Sequence, residues 1–268
     1  HDIYLLPLGW ALARNLRLPF VYDAHEEFQR AEATRYPRPF LSLAAGAESR
    51  LARSAVAVVV PGASRTPRWR GVIDRAPIVV PNFVQRDQAS CPNRPPQWDL
   101  LYAGTITDVR RPDLLVALAR MRPDLRIAVA GGGRRASSIE RTAAELPNLT
   151  YLGWRADVDA LFQRTRSVYY GLDPEHPYSD VACPNTLYQA LRHRKPLIFF
   201  CGGEPAEVAR EFRIGIRCAP SVHALAKAVD EVLAGSEWQF DAAWRAVWNR
   251  ADVAKFVDAI EAAARGSG

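Results

Sequence analysis

Lysine is scarce in this sequence. It occurs only at Lys195, Lys227 and Lys255, so arginine carries nearly all of the positive charge behind a formal net charge of +6. The guanidinium group binds phosphate through a planar, bidentate fork. This charge therefore suits nucleic acid, a phosphorylated ligand or an anionic membrane face equally well, and a codon bias toward arginine is the alternative interpretation.

Long apolar runs and paired cysteines are also missing. No run reaches the roughly 18 apolar residues that a membrane span needs, and no signal peptide is visible. Cys91, Cys183, Cys201 and Cys218 form neither a CxxC pair nor a zinc spacing. The sequence therefore predicts free thiols in a reducing cytosol, a cytoplasmic location and no bound metal.

What the sequence does contain is an alternation of short apolar runs with amphipathic stretches. Continuous apolar runs are typical of strands buried on both faces of a parallel sheet. The predicted strands are Ile3–Leu6, Phe20–Tyr22, Val56–Val60, Ile78–Val80, Leu100–Ala103, Arg126–Ala130, Leu149–Leu152, Val168–Tyr170 and Leu197–Phe200. The predicted helices between them are Pro112–Met121, Ser137–Leu146, Asp157–Thr165 and Asn185–His193. This order predicts right-handed βαβ units in a doubly wound α/β fold.

A polar segment divides the chain. Residues 85–97, with the sequence QRDQASCPNRPPQ, show no hydrophobic periodicity and are predicted to be a linker. The linker separates a partial first domain, residues 1–84, from a complete second α/β domain, residues 98–220. Residues 221–268 are predicted to form a helical tail that packs back across the domains.

Glycine and arginine follow the first strand of the second domain. The turn contains Gly104, Thr105, Arg110 and Arg111 and leads into a helix at Pro112. Glycine lets a ligand approach the backbone, and a helix N-terminus preceded by two arginines favours an anion such as a diphosphate. The alternative is an ordinary βα loop with solvated arginines.

Two further strand ends carry candidate ligand contacts. Residues 131–133 are all glycine, which permits a tight turn or close packing of a ligand, although they do not form a GxGxxG dinucleotide fingerprint. Trp154 comes just past another strand. It can form the wall of a base or sugar pocket, or it can be half-buried packing.

The segment CPNTLYQAL predicts an anion site at a helix start. Asn185 is a good N-cap, and the N–H groups of Thr186 and Leu187 would then point outward. Gln189 lies one turn later on the same helix face as Asn185. Simple helix capping explains the pattern equally well.

Polar residues also follow a strand of the first domain. The segment Tyr22–Glu27 places His25 among an aspartate and two glutamates at a strand end. Strand ends line the crevice of open α/β folds, so these side chains are candidates for acid–base work or for binding substrate hydroxyls. A structural role for the histidine is the alternative.

Several segments, in order along the chain, carry a family resemblance: YDAHEEF, VVPNFV, LLYAGTITDVRRPDLL, LRIAVAGGG and CPNTLYQALRHRKPLI. Their order and spacing resemble those of GT-B glycosyltransferases, specifically the large retaining family that includes sucrose synthase and bacterial mannosyltransferases. The resemblance covers nearly the whole chain and implies two Rossmann-type, doubly wound domains, the first of them incomplete. It implies transfer of a sugar, with retention, from a nucleotide-diphosphate sugar to a glycan or lipid-linked acceptor. It further implies no cofactor beyond that donor, and peripheral contact with the inner membrane.

The resemblance also assigns site residues. The implied donor contacts are Gly104, Thr105, Arg110, Arg111, Gly132, Trp154, Asn185, Thr186, Leu187 and Gln189. Among them, Arg110 is the family's basic phosphate-binding position, Trp154 lies near the base, and Gln189 lies at the ribose hydroxyls. The implied catalytic residues are His25, Asp180 and Arg110.

This sequence departs from the family pattern at several of these positions. Gln189 and Val181 stand where the family has a pair of carboxylates, with Asp180 as the adjacent substitute, and Thr186 replaces a lysine. These departures support a rival interpretation, a non-catalytic relic that binds a nucleotide-sugar or a partner glycosyltransferase. An oxidoreductase is disfavoured because no GxGxxG follows a strand, and a nucleic-acid-binding protein because acids are interleaved with the scattered arginines.

The first domain is short for this resemblance. Half of a Rossmann sheet exposes an apolar edge and an apolar face. We therefore expect a missing N-terminal segment or a partner chain to cover it.

Overall fold

The computed structural model describes residues 2–82, 95–249 and 251–265. Their contacts define two compact units. Unit 1 comprises residues up to 82, residues 180–183 and residues from 247 onward, and unit 2 comprises the described residues of 95–179 and 184–246. Most of the predicted linker, residues 85–97, falls outside the described residues, so the linker stays a prediction.

Strands and helices alternate along the chain, and all the described strand pairs are parallel. The strands are β1 Val21–Asp23, β2 Ala57–Val60, β3 Ile78–Val79, β4 Trp98–Ala103, β5 Ile127–Ala130, β6 Leu149–Gly153, β7 Thr165–Tyr170, β8 Leu197–Phe199 and β9 Gly215–Arg217. The helices are α1 Asp2–Leu16, α2 Phe28–Ala31, α3 Arg38–Ala52, α4 Pro112–Met121, α5 Ala136–Glu145, α6 Asp159–Gln163, α7 Asn185–Arg192, α8 Gly203–Glu211, α9 Val222–Leu233, α10 Phe240–Asn249 and α11 Val253–Arg265. Short 3-10 helices cover Ala63–Trp69, Asp108–Arg110 and Ser179–Val181. The predicted α/β class is confirmed.

Unit 1 is built on a sheet with the strand order β1-β2-β3. Tyr22 and Val60 of this sheet are buried in one cluster with Leu6 of α1, Ala52 of α3 and Trp69. The C-terminal helix α11 packs against β2 and β3. Unit 1 therefore combines elements from the early and the late part of the sequence.

The first predicted strand is wrong. Residues Ile3–Leu6 are part of α1. The apolar residues that follow recur at helical spacing, at Leu8, Leu12 and Leu16, and a short apolar run does not by itself separate a strand from a turn of helix. Every other predicted strand overlaps an observed one. Strand β9 was not predicted, because only three residues form it and the first is a glycine.

Helix α1 exposes an apolar stripe. Leu5, Leu8, Leu12 and Leu16 are 56%, 58%, 50% and 62% exposed, whereas Leu6 is 3% exposed. The expectation for a partial first domain is exposed apolar surface at a sheet edge and face, and this stripe is exposed apolar surface on a helix. What covers the stripe stays a prediction. Among the described residues, no helix combines the length and the apolar character that crossing a membrane requires.

Unit 2 is built on a sheet with the strand order β6-β5-β4-β7-β8-β9. Counted from its own first strand, this is the order 3-2-1-4-5-6 of doubly wound Rossmann sheets. Leu100, Leu115, Ile127 and Val129 are fully buried in its core. In such sheets ligands bind outside the carboxyl ends of the strands, near the point where the strand order reverses, which here lies between β4 and β7.

Unit 1 also contains a buried carboxylate, Glu48 of α3, which is 6% exposed. The Tyr22 hydroxyl donates to its Oε1 at 2.7 Å, and Arg68 Nη2 donates to its Oε2 at 3.2 Å. Burial raises the pKa of Glu48 above its ordinary value, and the bonds from Tyr22 and Arg68 offset only part of that rise. Folding therefore favours the protonated carboxyl group.

We expect Glu48→Gln to change how stability depends on pH. A carboxyl group whose pKa is higher in the folded than in the unfolded state destabilises the fold when it is ionised, at high pH. The lost stability is regained as the pH falls through the folded-state pKa and the group takes up its proton. We subtract the free energy of unfolding of Glu48→Gln from that of the wild type. This difference should increase as the pH is lowered from about 7 to about 4.5. Urea unfolding at each pH measures this difference, and a constant value across the range would contradict the expectation.

Candidate functional site

A cavity of about 570 Å³ opens at the carboxyl ends of three neighbouring strands of unit 2, β4, β5 and β6. Turns after these strands, the region of α6 and the first turns of α7 form its wall. The lining residues are Ala103, Gly104, Thr105, Ala130, Gly131, Gly132, Gly133, Trp154, Arg155, Val158, Leu161, Phe162, Asn185, Thr186 and Gln189. Among these residues Arg155 is a cation and none is an acid, so the cavity suits an anionic ligand.

Glycine allows two of these turns to approach each other closely. The Ile106 N–H donates to the Gly132 carbonyl at 2.8 Å. Gly131 and Gly133 have φ angles of 141° and 136°, and a Cβ on Gly131 would lie 1.8 Å from the carbonyl oxygen of Gly104. A Cβ on Gly132 would meet nothing within 4 Å. Gly131 and Gly133 therefore serve backbone packing, and Gly132 is the member of the run with open space beside it.

The turn after β4 is held by a buried tyrosine. The Tyr102 hydroxyl donates to the Thr105 carbonyl at 2.6 Å, and burial raises the pKa of Tyr102 to about 12. The hydroxyl group therefore keeps its proton, and remains a donor, at physiological pH. Gly104 and Thr105 are exposed and line the cavity.

The start of α7 differs in detail from the prediction. Pro184, with extended backbone, precedes the helix as its cap, so the predicted capping role of Asn185 is wrong and Asn185 is the first helical residue. The Leu187 N–H donates to the Pro184 carbonyl at 3.0 Å, and the Leu187 side chain is buried. The expectation of an outward-pointing N–H at Leu187 is therefore also wrong. Asn185 and Thr186 line the cavity.

Gln189 is the most informative residue of α7. It lies one turn after Asn185 and lines the same cavity. Its side-chain oxygen Oε1 is buried and has no hydrogen-bond partner among the described residues. A buried polar atom without a partner costs about 1–3 kcal/mol. A ligand that donates a hydrogen bond to this oxygen would recover that loss.

An aromatic ring stands at the end of β6. Trp154 lines the cavity and is 75% exposed, so its indole ring is available to a ligand. Gly153, with a φ of 67°, makes the turn that leads to it. Of the two roles considered from the sequence, the exposure of Trp154 favours the pocket wall over half-buried packing.

Sequence reasoning missed part of the lining. It assigned no role to Arg155 or to the apolar residues around α6, namely Val158, Leu161 and Phe162. The available signal was the amphipathic stretch Asp157–Thr165, which predicted a helix but not the direction in which its apolar side chains point.

Two predicted phosphate contacts are absent from the cavity lining. The guanidinium carbon of Arg110 lies 4.9 Å from the ring centroid of Tyr170, and Arg110 Nη1 donates to the Tyr170 hydroxyl. Burial and the charge of Arg110 lower the pKa of the nearby His176 below its ordinary value. Arg111 has a left-handed φ of 48°, and its Nη2 pairs with Asp113 at 2.9 Å. Diphosphate contacts of Arg110 and Arg111 remain predictions.

The other predicted catalytic residues, His25 and Asp180, belong to unit 1. His25 follows β1, and its carbonyl oxygen accepts a hydrogen bond from Arg65 Nη1. Asp180 is exposed and lies in a 3-10 turn. Val181, where the resemblance implies a carboxylate, is 5% exposed. The structure thus places His25 and the segment of Asp180 in one unit.

Each of the two units is an α/β unit with a parallel sheet, and the second has Rossmann strand order and a cavity at its strand ends. This architecture is a GT-B-like fold with a short first domain. The family model described as "Glycosyl transferases group 1" matches residues 98–235. The chain belongs to this family.

Curated relatives match a shorter stretch. The O-antigen biosynthesis glycosyltransferase WbnH and the probable O-antigen biosynthesis glycosyltransferase WbiN, both from Escherichia coli, are 30% identical to this chain over 83 residues. The match covers 31% of this chain and 24% of the length of either relative.

Solved structures share the fold over most of the chain. Anabaena HepE in complex with UDP and glucose has a TM-score of 0.71 at 16% identity, covering 97% of this chain and 75% of its own. Sucrose-phosphate synthase from Thermosynechococcus elongatus has a TM-score of 0.66 at 15% identity, covering 87% and 63%. The pneumococcal O-GlcNAc transferase GtfA has a TM-score of 0.66 at 12% identity, covering 95% and 59%. At these identities the likeness shows the fold alone.

Proposed function

We propose that this protein transfers a sugar from a nucleotide-diphosphate sugar to a glycan or lipid-linked acceptor, with retention at the anomeric carbon. The observation that carries the proposal is the buried Oε1 of Gln189, which has no hydrogen-bond partner in the described part of the chain. It lies in the wall of a cavity whose described lining includes one cation and no acid. A ligand with hydroxyl donors, an anionic group and a flat ring satisfies this wall, and a nucleoside diphosphate has all three.

The donor in this proposal spans the cavity. Its ribose hydroxyls donate to Gln189, and its base packs on the indole ring of Trp154. The N–H groups of Asn185 and Thr186, the first two residues of α7, are the donors offered to the diphosphate, because the first groups of a helix have no intrahelical partner. These donors and Arg155 stabilise the negative charge that develops on the leaving diphosphate.

The acid–base candidates lie in unit 1. His25 and Asp180 are residue types that exchange a proton with an acceptor hydroxyl, and the exposed Asp180 side chain is accessible to solutes. We assign them to the acceptor side of the reaction. Arg110 is retained as a diphosphate contact, which would require its guanidinium to leave the ring of Tyr170.

The comparisons support the choice of donor and acceptor. HepE was solved with UDP and with UDP-glucose, and the curated relatives are named for O-antigen biosynthesis. We therefore propose a UDP-sugar as the donor and a growing polysaccharide as the acceptor, at the cytoplasmic face of the membrane.

A thermal-shift screen with UDP, GDP and ADP tests the donor site. A nucleotide present at about 100 times its Kd should add about 2.7 kcal/mol to the free energy of unfolding, and UDP should give the largest shift. The absence of a shift with all three nucleotides would refute the donor site.

A second candidate function is nucleotide-sugar binding without catalysis, favoured by the buried Val181 at the position of an expected carboxylate. Release of UDP from UDP-glucose separates the two candidates. Binding of UDP-glucose with no release of UDP, alone or with acceptor glycans, would favour the non-catalytic protein.

Variants of Gln189 test the ribose contact. A carboxylate accepts stronger hydrogen bonds than an amide oxygen, so Gln189→Glu should bind UDP about 10-fold more tightly than the wild type. Gln189→Met fills the same volume without an acceptor and should bind about 10-fold more weakly. Calorimetric titration measures both values. Equal affinity of the wild type and Gln189→Met for UDP would show that Gln189 does not contact the nucleotide.

A further inference from the structure

A buried arginine of unit 1 takes no part in the proposed donor site. Arg65 lies in the 3-10 helix Ala63–Trp69, shortly after β2, and is 2% exposed. A guanidinium keeps its charge at every physiological pH, and burying it is unfavourable unless its donors are bonded. The partners of Arg65 therefore indicate what the residue does.

The guanidinium of Arg65 reaches two separate stretches of backbone. Its Nε donates to the carbonyl oxygen of Val181 at 3.0 Å, and its Nη1 donates to the carbonyl oxygen of His25. Its Nη2 lies 3.7 Å from Oε2 of Glu26. One stretch directly follows β1, and the other is the segment Asp180–Cys183. A single rigid, planar group thus connects the two.

The second stretch is fixed at its other end as well. The Asn82 amide nitrogen donates to the Cys183 carbonyl at 3.3 Å, and Ser64 Oγ lies 3.8 Å from Cys183 Sγ. Val181, Ala182 and Cys183 are all buried, whereas Asp180 is exposed. The backbone of the segment is therefore held in unit 1 while the carboxylate of Asp180 stays accessible.

We propose that Arg65 is a positioning residue that fixes the distance between the backbone of His25 and the backbone beside Asp180. The proposal rests on the proposed function for the roles of the His25 and Asp180 side chains. The bonds of Arg65 to the carbonyl oxygens of His25 and Val181 let it act by holding the main chain that carries the proposed reacting side chains. Lysine cannot replace it, because one ammonium group lacks the fork that reaches both carbonyls.

The test compares Arg65→Ala with Arg68→Ala in the full chain. Arg68 belongs to the same 3-10 helix, and its bonds run to Glu48 and Ser49 on α3. Arg65→Ala should speed amide hydrogen exchange in residues 24–27 and 180–183, whereas Arg68→Ala should not. Arg65→Ala should also slow UDP release from UDP-glucose about 100-fold while the Kd of UDP stays unchanged, because small misplacements of reacting groups cost about that much. A low concentration of guanidinium chloride should restore part of the lost rate.

The exchange and turnover results together distinguish a positioning role of Arg65 from a purely structural one. Unchanged exchange in either stretch, equally faster exchange in both variants, or faster exchange with undiminished turnover would overturn the positioning role. Faster exchange confined to Arg65→Ala, in a protein whose wild type binds no nucleotide, would keep Arg65 as the link between the two stretches and refute the proposed function instead. If Arg65→Ala does not fold, Arg65→Lys replaces it, since the ammonium keeps the charge beside Glu26 but can hold only one carbonyl.

Discussion

Replacing Gly131 with alanine should lower the free energy of unfolding of unit 2 by about 4 kcal/mol. The backbone of Gly131 has a φ of 141°, a conformation that costs an L-residue about 1–3 kcal/mol. The new Cβ would also lie 1.8 Å from the carbonyl oxygen of Gly104, and such overpacking costs about 1–3 kcal/mol more. Relief of the clash requires the two turns to separate, which would open the cavity wall and abolish UDP binding.

The neighbouring glycine supplies the control. A Cβ on Gly132 would meet nothing within 4 Å, so Gly132→Ala should change the free energy of unfolding by less than about 0.5 kcal/mol. Urea unfolding measures both variants, and UDP titration follows the cavity. Equal stability of Gly131→Ala and Gly132→Ala would show that the two turns do not pack as closely as described.

Replacing Trp154 with alanine should weaken UDP binding about 10- to 100-fold. Stacking of a base on an aromatic ring is worth about 1–3 kcal/mol, and alanine removes all of it. The side chain is 75% exposed, so the substitution should leave the free energy of unfolding within about 0.5 kcal/mol of the wild type. Loss of affinity without loss of stability would identify the indole ring as a ligand contact.

Two variants complete this test. Trp154→Phe retains an aromatic face and should recover most of the affinity. Trp248→Ala removes a different tryptophan, 52% exposed and outside the cavity lining, and should bind UDP as the wild type does. Equal binding by Trp154→Ala and the wild type would place the base elsewhere.

Much of the fold was predictable because parallel strands leave a strong signal. Runs such as Leu100–Ala103 and Leu197–Phe200 are buried on both faces, so they are apolar throughout. The run Ile3–Leu6 gave the same signal for a different reason. There the apolar side chains lie around a helix, one of them, Leu6, in the core and others on an exposed stripe. A short window does not distinguish these cases.

The residues of the candidate site that lie at strand ends or near a helix start were predictable from the sequence. Gly104, Trp154 and Gln189 were assigned on that basis, and all three line the cavity. Capping at α7 was missed because Asn185 and Pro184 are both acceptable at a helix start, and only the backbone angles decide. Contacts between distant segments left no sequence signal. Nothing in the sequence around Arg65 indicates that its guanidinium meets the carbonyl of Val181.

The late position of α11 in the chain has a consequence for biosynthesis. Strand β3 ends at Val79, but α11, which packs on it, begins at Val253. Ribosomes add about 5–20 residues per second, so roughly 10–35 s pass between the synthesis of β3 and the synthesis of the helix that packs against β2 and β3. In the described part of the chain, unit 2 ends at residue 246. We therefore expect the nascent chain to complete its second unit before its first, with β2 and β3 lacking their contacts to α11 until that helix is made.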